Sequence, residues 1–156
     1  MKLIAPTCHR ILAGLLFLSF LGVAECPVRA QTDTPFAVEY YYKVKWGHVD
    51  EFLDLYKRNH YPILVKLKNL GRIVDMSAAS PFYHSGEDTR WDFRFTIVWK
   101  NATVAHEDFD TSQIVQELYP DQEKFKQEEQ RRFQLLEQHL DVPVVELDLA
   151  AWPGGA

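Results

Sequence analysis

The amino-acid sequence predicts an α+β fold, in which a single sheet of four strands is covered on one face by helices. Four segments show the alternation of apolar and polar residues that is typical of half-buried strands. Two longer regions carry apolar residues at the spacing of three and four that is typical of amphipathic helices. These segments follow one another in the order β-α-β-β-α-β, which limits the ways in which the strands can connect.

The first strand is predicted to begin at Phe36 and to end before Gly47. Alternation along a strand sends successive side chains to opposite faces. One face is strongly aromatic and is expected to lie beneath the helices: Phe36, Val38, Tyr40, Tyr42, Val44 and Trp46. The other face is mixed and includes charged residues: Ala37, Glu39, Tyr41, Lys43 and Lys45.

The helix that follows contains a proline within the sequence LYKRNHYPILVKL. Its apolar stripe is formed by Val49, Phe52, Leu53, Tyr56, Ile63, Leu64, Leu67 and Leu70, and Gly71 is the expected end signal. Pro62 has no N–H to donate to the carbonyl of Arg58, and it disfavours a helical conformation for Tyr61. We therefore expect a kink that widens the space between helix and sheet, with His60 on the side that faces the sheet.

The remaining elements are predicted in order: a strand over 72–84 with a bend at Ser80–Pro81, a connection over 85–89, a strand over 91–99, a helical region over 101–140 with a break at Pro120, and a strand over 142–149. Strand, crossover, hairpin, second crossover and final strand form the split-βαβ, ferredoxin-like arrangement, with an antiparallel sheet and both helical regions on one face. The predicted domain covers residues 36–149, between a linker at 31–35 and a tail at 150–156.

Residues 1–30 have the features of a secretory signal peptide. Lys2 and Arg10 provide a positively charged start, residues 11–24 form an uncharged apolar run, and small residues precede a cleavage point after Ala30. The apolar run is short for a membrane span. Cleavage after Ala24 and an uncleaved anchor are the alternatives. We expect an exported protein, periplasmic or secreted, without stable membrane insertion once the signal is removed.

The predicted mature chain is acidic and contains no cysteine. Removing residues 1–30 leaves 126 of the 156 residues and takes away three of the 17 basic and one of the 22 acidic side chains. The remaining 14 basic and 21 acidic side chains give a net charge of −7, which disfavours nucleic acid and anionic membranes as partners. Cys8 and Cys26 lie in the signal peptide, so thiol catalysis, disulfides and cysteine metal ligands are excluded from the mature chain.

The sequence HYPI at His60–Ile63, followed by NLGRI at the start of the next strand, resembles EthD-like members of the dimeric α/β-barrel superfamily. Helices of that family carry a His-x-Pro-Leu sequence at this point. The resemblance implies a homodimer of two ferredoxin-like subunits joined sheet to sheet, with a small-molecule pocket between the sheet and the helices of each subunit. Relatives include cofactor-free monooxygenases, isomerases, polyketide cyclases and haem-binding proteins, so the resemblance leaves the reaction open.

A histidine beside a widened gap is the first candidate for chemistry. The imidazole of His60 can act as a general acid or base near neutral pH, and Tyr56, one turn earlier, is the second catalytic candidate. The aromatic residues of strands one and three are expected to line a pocket for a hydrophobic or aromatic ligand: Tyr40, Tyr42, Trp46, Trp91, Phe93, Phe95 and Trp99. His84 and Arg90 flank the hairpin, where they are predicted to hold an anionic substituent of that ligand.

The function is left open between several interpretations. In the first, the protein is an enzyme that acts on an aromatic or polyketide-like compound without a metal, with His60 as acid or base. In the second, it is a non-catalytic exported binding or stress-related dimer, in which His60 is structural and hydrogen-bonds the carbonyl freed by the kink. Haem binding through His60 or His84 is a third alternative; no metal site and no other cofactor are predicted.

Overall fold

The computed structural model describes residues 34–83 and 85–151; the predicted signal peptide and His84 lie outside them. The described elements are β1 (Phe36–Val44), α1 (Val49–Leu55), a π-helical turn (Tyr56–His60), α2 (Tyr61–Asn69), β2 (Ile73–Ala79), a 3-10 turn (Glu87–Thr89), β3 (Phe93–Trp99), α3 (Ala102–His106), α4 (Ser112–Leu118), α5 (Gln122–Gln134) and β4 (Leu136–Val144). Across these two ranges, no helix has both the length and the apolar character that a membrane span requires.

The four strands form one antiparallel sheet in the order β2-β3-β1-β4. Strand β1 lies in the interior and pairs with β3 on one side, where Tyr40 is opposite Phe95, and with β4 on the other, where Tyr42 is opposite His139. Strand β2 pairs with the far side of β3. This strand order, with one helical crossover between β1 and β2 and another between β3 and β4, is the ferredoxin-like fold, and the predicted fold class is confirmed.

The core lies between the helices and one face of the sheet. It is formed by one cluster of buried side chains from both layers: Tyr42, Val44, Phe52, Leu55, Tyr56, Leu64, Leu67, Ile73, Ile97 and Leu135. Full burial of one large apolar side chain contributes about 1.5–3 kcal/mol. The apolar stripe predicted for the first helix therefore supplies much of the core, although Leu70 at its end is exposed.

The first crossover helix consists of α1, the π-helical turn and α2, and it passes Pro62 without a break. Residues Tyr56–His60 form a π-helical turn, in which the N–H of Tyr61 donates to the carbonyl of Tyr56, five residues back. Tyr61 is itself helical, with φ −57° and ψ −40°, so the prediction that Pro62 would turn it away from helical geometry is wrong. The wider turn accommodates the proline, and such turns are frequent at functional sites.

The carbonyls freed at this turn are bonded by the second crossover. The hydroxyl of Tyr119, just beyond α4, lies 2.7 Å from the carbonyl oxygen of Asn59 and 3.1 Å from that of Arg58. Arg58 is the residue whose carbonyl would receive the N–H that Pro62 lacks. The ring of Tyr119 also stacks on Phe125 of α5, at 4.4 Å between centroids. Both crossovers are thus joined where the first one departs from α-helical geometry.

The second crossover consists of α3, α4 and α5, and the structure confirms two of its predicted helix boundaries. Asn101 caps α3, since its side-chain oxygen accepts a hydrogen bond from the N–H of Val104 at 2.9 Å. Helical structure stops before Pro120 and resumes at Gln122, after Asp121 has capped α5 by accepting from the N–H of Lys124 at 3.0 Å. A proline at a helix boundary needs no N–H partner, which explains the break.

The last strand lies earlier in the chain than predicted. The charged helix predicted to reach residue 140 ends at Gln134, and β4 occupies Leu136–Val144 in place of the predicted 142–149. The spacing of Leu136 and Leu140 fits either a helix or a strand. Pairing decides between them, because Leu135 is buried and its carbonyl accepts a hydrogen bond from the N–H of Lys45 at 2.8 Å. The apolar residues 145, 147 and 149 consequently lie beyond the sheet and are exposed.

Candidate functional site

A cleft of about 660 Å³ opens between the first crossover helix and strands β2 and β3. Its lining is mostly apolar and comes from both layers of the fold: Leu53, Asp54, Tyr56, Lys57, Tyr61, Leu64, Met76, Ser77, Ala78, Ala79, Ser80, Phe93, Phe95 and Thr96. The π-helical turn thus contributes to one wall, as expected from a helix that widens over the sheet. Three predicted site residues, Tyr56, Phe93 and Phe95, meet here.

Stacked aromatic rings form the base of the cleft. The ring of Tyr56 lies on that of Phe95, with 4.1 Å between centroids and 19° between planes. The ring of Phe93 packs against the buried ring of Phe52 at 6.4 Å. Tyr56 is only 2% exposed, and burial raises the pKa of its hydroxyl well above the usual range. The hydroxyl therefore remains protonated at neutral pH, as a hydrogen-bond donor.

His60 is not part of the cleft lining but lies next to it. Its ring is 4.9 Å from that of Tyr56, between centroids. Burial lowers the pKa of His60 to about 4, the positive charge of Arg132 acts in the same direction, and Glu129 opposes both. The imidazole is therefore neutral at pH 7 and able to accept a proton. The hydrogen bonds found to the carbonyls of Arg58 and Asn59 in the π-helical turn come from the hydroxyl of Tyr119.

A second group of rings on β1 and β4 lies near His60. The ring of Tyr42 stacks on His139 with 4.4 Å between centroids and 16° between planes, and Tyr40 lies 6.2 Å from the same imidazole. Burial raises the pKa of Tyr42 to about 12 and lowers that of His139. The carboxylate of Asp141 is 3.1 Å from Nε2 of His139. The predicted lining residues Tyr40 and Tyr42 thus belong to this group, beside the cleft and outside its lining.

Two residues of this region, His139 and Arg132, are missed by the sequence analysis. His139 falls within the helical region predicted over 101–140, whereas the early start of β4 places it against Tyr42. Arg132 of α5 is 3% exposed, and Glu129 holds its guanidinium through hydrogen bonds of 2.9 and 2.7 Å. A signal for Arg132 exists, because helical spacing places it between Phe125 and Leu135 on the stripe that faces the core.

Trp91 lies outside the cleft, in contrast to its predicted position. Its ring meets that of Tyr41 edge-on at 5.5 Å, and Tyr41 is on the face of β1 turned away from the helices. The alternation does not extend to Trp91 because β3 begins at Phe93. Before that point Asp92 bridges back to the first strand, where its carboxylate accepts from the N–H of Val44 at 2.7 Å.

Arg90 is buried in the framework and does not face the cleft. Its guanidinium donates to the carboxylate of Asp92 at 2.6 Å, to the carbonyl of Val44 at 3.0 Å and to Glu137 at 3.2 Å. The exposed ring of Trp46 lies 4.2 Å from it and is likewise absent from the cleft. The predicted anion clamp at Arg90 is therefore replaced by an ion-pair network that joins the ends of β1, β3 and β4.

Comparisons with known proteins give similarity of fold only. No family model and no curated protein matches the chain. A dimeric ferredoxin-like protein from an uncultured marine organism is 10% identical, with 74% of this chain and 92% of that chain covered and a TM-score of 0.47. A NIPSNAP domain protein from Burkholderia xenovorans is 15% identical, with 73% and 96% covered and a TM-score of 0.42. An antibiotic biosynthesis monooxygenase-like protein from Bacteroides thetaiotaomicron is 7% identical, with 80% and 96% covered and a TM-score of 0.44.

The partly buried imidazole of His60, whose pKa is lowered to about 4, predicts that the folded protein loses stability in mild acid. Above pH 6.5 the ring is neutral in both folded and unfolded chains. Between pH 6.5 and about 4 the unfolded chain takes up a proton that the folded protein does not. The free energy of unfolding should therefore fall across this window, by up to about 3 kcal/mol from His60 alone.

Urea denaturation at several pH values measures this effect. His60→Asn should flatten the pH dependence between 6.5 and 4, leaving a smaller slope to which His139 contributes in the same direction. His106→Asn alters an exposed histidine and is the matched control. An equal slope in the wild type and in His60→Asn would contradict the assignment of a neutral imidazole to the folded protein.

Proposed function

We propose that this chain is an exported protein that binds a hydrophobic or aromatic small molecule in the cleft between the first crossover helix and strands β2 and β3. The observation that carries the proposal is the aromatic base of Tyr56, Phe93 and Phe95 within a concave space of about 660 Å³. Small-molecule sites are concave, mostly apolar spaces of about 300–1,000 Å³ with a few polar groups. Export rests on the features of residues 1–30, and an EthD-like relationship on the HYPI sequence.

A catalytic role for His60 is a second candidate function. It is favoured by a neutral imidazole 4.9 Å from the ring of Tyr56, which itself borders the cleft. A general base must reach the proton that it abstracts directly or through one water molecule. Tyr56 is the residue that contacts both the cleft and His60, so proton movement between a bound ligand and the imidazole would involve its hydroxyl or a water molecule beside it.

Self-association through the open face of the sheet is the third part of the proposal. This face, opposite the helices, carries Tyr41 and Trp91 in edge-on contact, together with the partly exposed side chains of Leu140 and Val142. Arg94, paired with Glu39 at 3.2 Å, adds charge to the same face. An apolar surface crossed by an ion pair suits a two-fold interface, in which each copy presents the same residues to the other.

Filling the cleft tests the binding proposal. Ala78 lies in the lining, and Ala78→Trp places an indole where the ligand would lie. The affinity for N-phenyl-1-naphthylamine, an uncharged apolar fluorescent probe, should fall by at least about tenfold in a titration. Ala150→Trp adds the same ring at an exposed position and should leave the affinity unchanged. If Ala78→Trp folds and binds the probe as well as the wild type, the probe does not use this cleft.

The catalytic candidate is tested with the ligand that the exported protein retains on purification, identified by native mass spectrometry. Ligand-free protein incubated with that compound should convert it, and His60→Asn should retain binding while its turnover falls by about 10²-fold or more, as expected when a general base is removed. His106→Asn controls for the loss of an imidazole elsewhere. Unchanged turnover in His60→Asn would remove the catalytic role and leave the binding function.

Dimer formation is measured by light scattering on the mature protein, which should have twice the mass of one chain. Leu140→Lys introduces a charge next to Tyr41, its partner across β1 and β4, and should shift the protein towards the monomer. Leu70→Lys is the control, since it adds the same charge at an exposed helix end. A monomeric wild type, or a Leu140→Lys protein that stays dimeric, would count against this interface.

A further inference from the structure

The charged residues of the cleft lining are Asp54 and Lys57, and both lie on the first crossover helix. The other polar lining residues carry uncharged hydroxyl groups: Tyr56, Tyr61, Ser77, Ser80 and Thr96. Lys57 belongs to the π-helical turn and is exposed. A cation is therefore present beside an apolar cleft whose base is formed by stacked aromatic rings.

Lys57 differs from the two lysines of α2 in having no acidic partner among the described residues. Lys66 pairs with Glu117 at 2.6 Å, and Lys68 pairs with Asp75 at 3.2 Å. Within residues 34–83 and 85–151, by contrast, no acidic group lies within ion-pair distance of the Lys57 ammonium. An unpaired surface lysine is common, so its position in the cleft lining is the informative observation.

Asp54, the other charged lining residue, is shared with a second and more polar groove. That groove lies between α1 and α5, and Asp54 lines it together with Arg58 and Arg131. These two guanidinium groups bond Glu128 and Glu51, respectively. Both guanidinium groups are therefore already paired with carboxylates of the same groove. Asp54 lies on the rim that the groove and the cleft share, whereas Lys57 lines the cleft alone.

We infer that the ligand of the cleft is an amphipathic anion, with an apolar ring body on Tyr56, Phe93 and Phe95 and a carboxylate or sulfonate group at Lys57. This inference rests on the proposed binding function and narrows its ligand class. It also moves the anion contact from Arg90, where the sequence predicts it, to the first crossover helix. A flexible, strongly hydrated ammonium suits a single anionic group at a solvent-facing mouth.

Two fluorescent probes with the same ring system test the inference. 1-Anilinonaphthalene-8-sulfonate carries a sulfonate that N-phenyl-1-naphthylamine lacks. Lys57→Gln should weaken binding of the sulfonate roughly threefold to fivefold, the size expected for an exposed charge pair, and leave the uncharged probe unaffected. Asp54→Asn should strengthen binding of the sulfonate, and added salt should reduce the difference between the wild type and Lys57→Gln.

Lys124→Gln removes an equal charge from an exposed position on α5 outside the cleft and is the matched control. If Lys57→Gln and Lys124→Gln have the same effect on the sulfonate, the anion inference is overturned while the binding function stands. If neither probe binds to the wild type at all, the binding function itself fails. Weaker binding of both probes to Lys57→Gln would show a contact with the ring body and would also overturn the inference.

Discussion

The N–H that Pro62 lacks is the constraint on which the arrangement around the cleft depends. A helix that loses one donor in its interior leaves the carbonyl of Arg58 without its usual hydrogen bond. The chain meets this constraint with a π-helical turn and with the hydroxyl of Tyr119, which reaches the freed carbonyls from the second crossover. The two crossovers are therefore linked at the same residues that widen the helix over the sheet.

The π-helical turn also distributes its side chains among different neighbours. In a regular α-helix, residues three and four apart lie on the same face. Here Tyr56 stacks on Phe95 of the sheet, while Asn59, 1% exposed, donates to Glu128 of α5 at 2.9 Å. His60 is left close to Arg132, whose positive charge helps to keep the imidazole neutral. Side chains from one turn of the helix thus contact the cleft, the interface with α5 and the region around Arg132.

Much of this fold can be predicted from the sequence, because its first half follows simple periodicities. The alternation from Phe36 and the stripe through Leu64 predict β1 and the first crossover, and Asn101 and Pro120 mark boundaries that the structure confirms. The end of α5 could not be predicted in the same way. The spacing of Leu136 and Leu140 fits both the helical and the strand periodicity, so only pairing with β1 determines that this segment is a strand.

The limits of the site prediction have the same origin. His139 could not be placed next to Tyr42 until β4 was in register, and Trp91 could not be excluded until the bridge through Asp92 ended the alternation of β3. Residues whose position follows from local period alone, such as Phe93 and Phe95, were predicted where they lie. Local pattern therefore predicts the base of the cleft, and long-range pairing determines which polar groups come near it.

Tyr56 is the boundary between the apolar cleft and the buried polar region. Tyr56 lines the cleft, and its ring lies 4.9 Å from that of His60. The guanidinium of Arg132 lies 5.7 Å from the same ring. Burial keeps its hydroxyl protonated, and the side-chain hydrogen bond of this hydroxyl is with Tyr42, which is outside the cleft lining. Tyr56 lines the cleft and His60 does not, so the imidazole lies behind this ring as seen from a bound ligand. The cleft can therefore bind a ligand whether or not the imidazole takes part in chemistry.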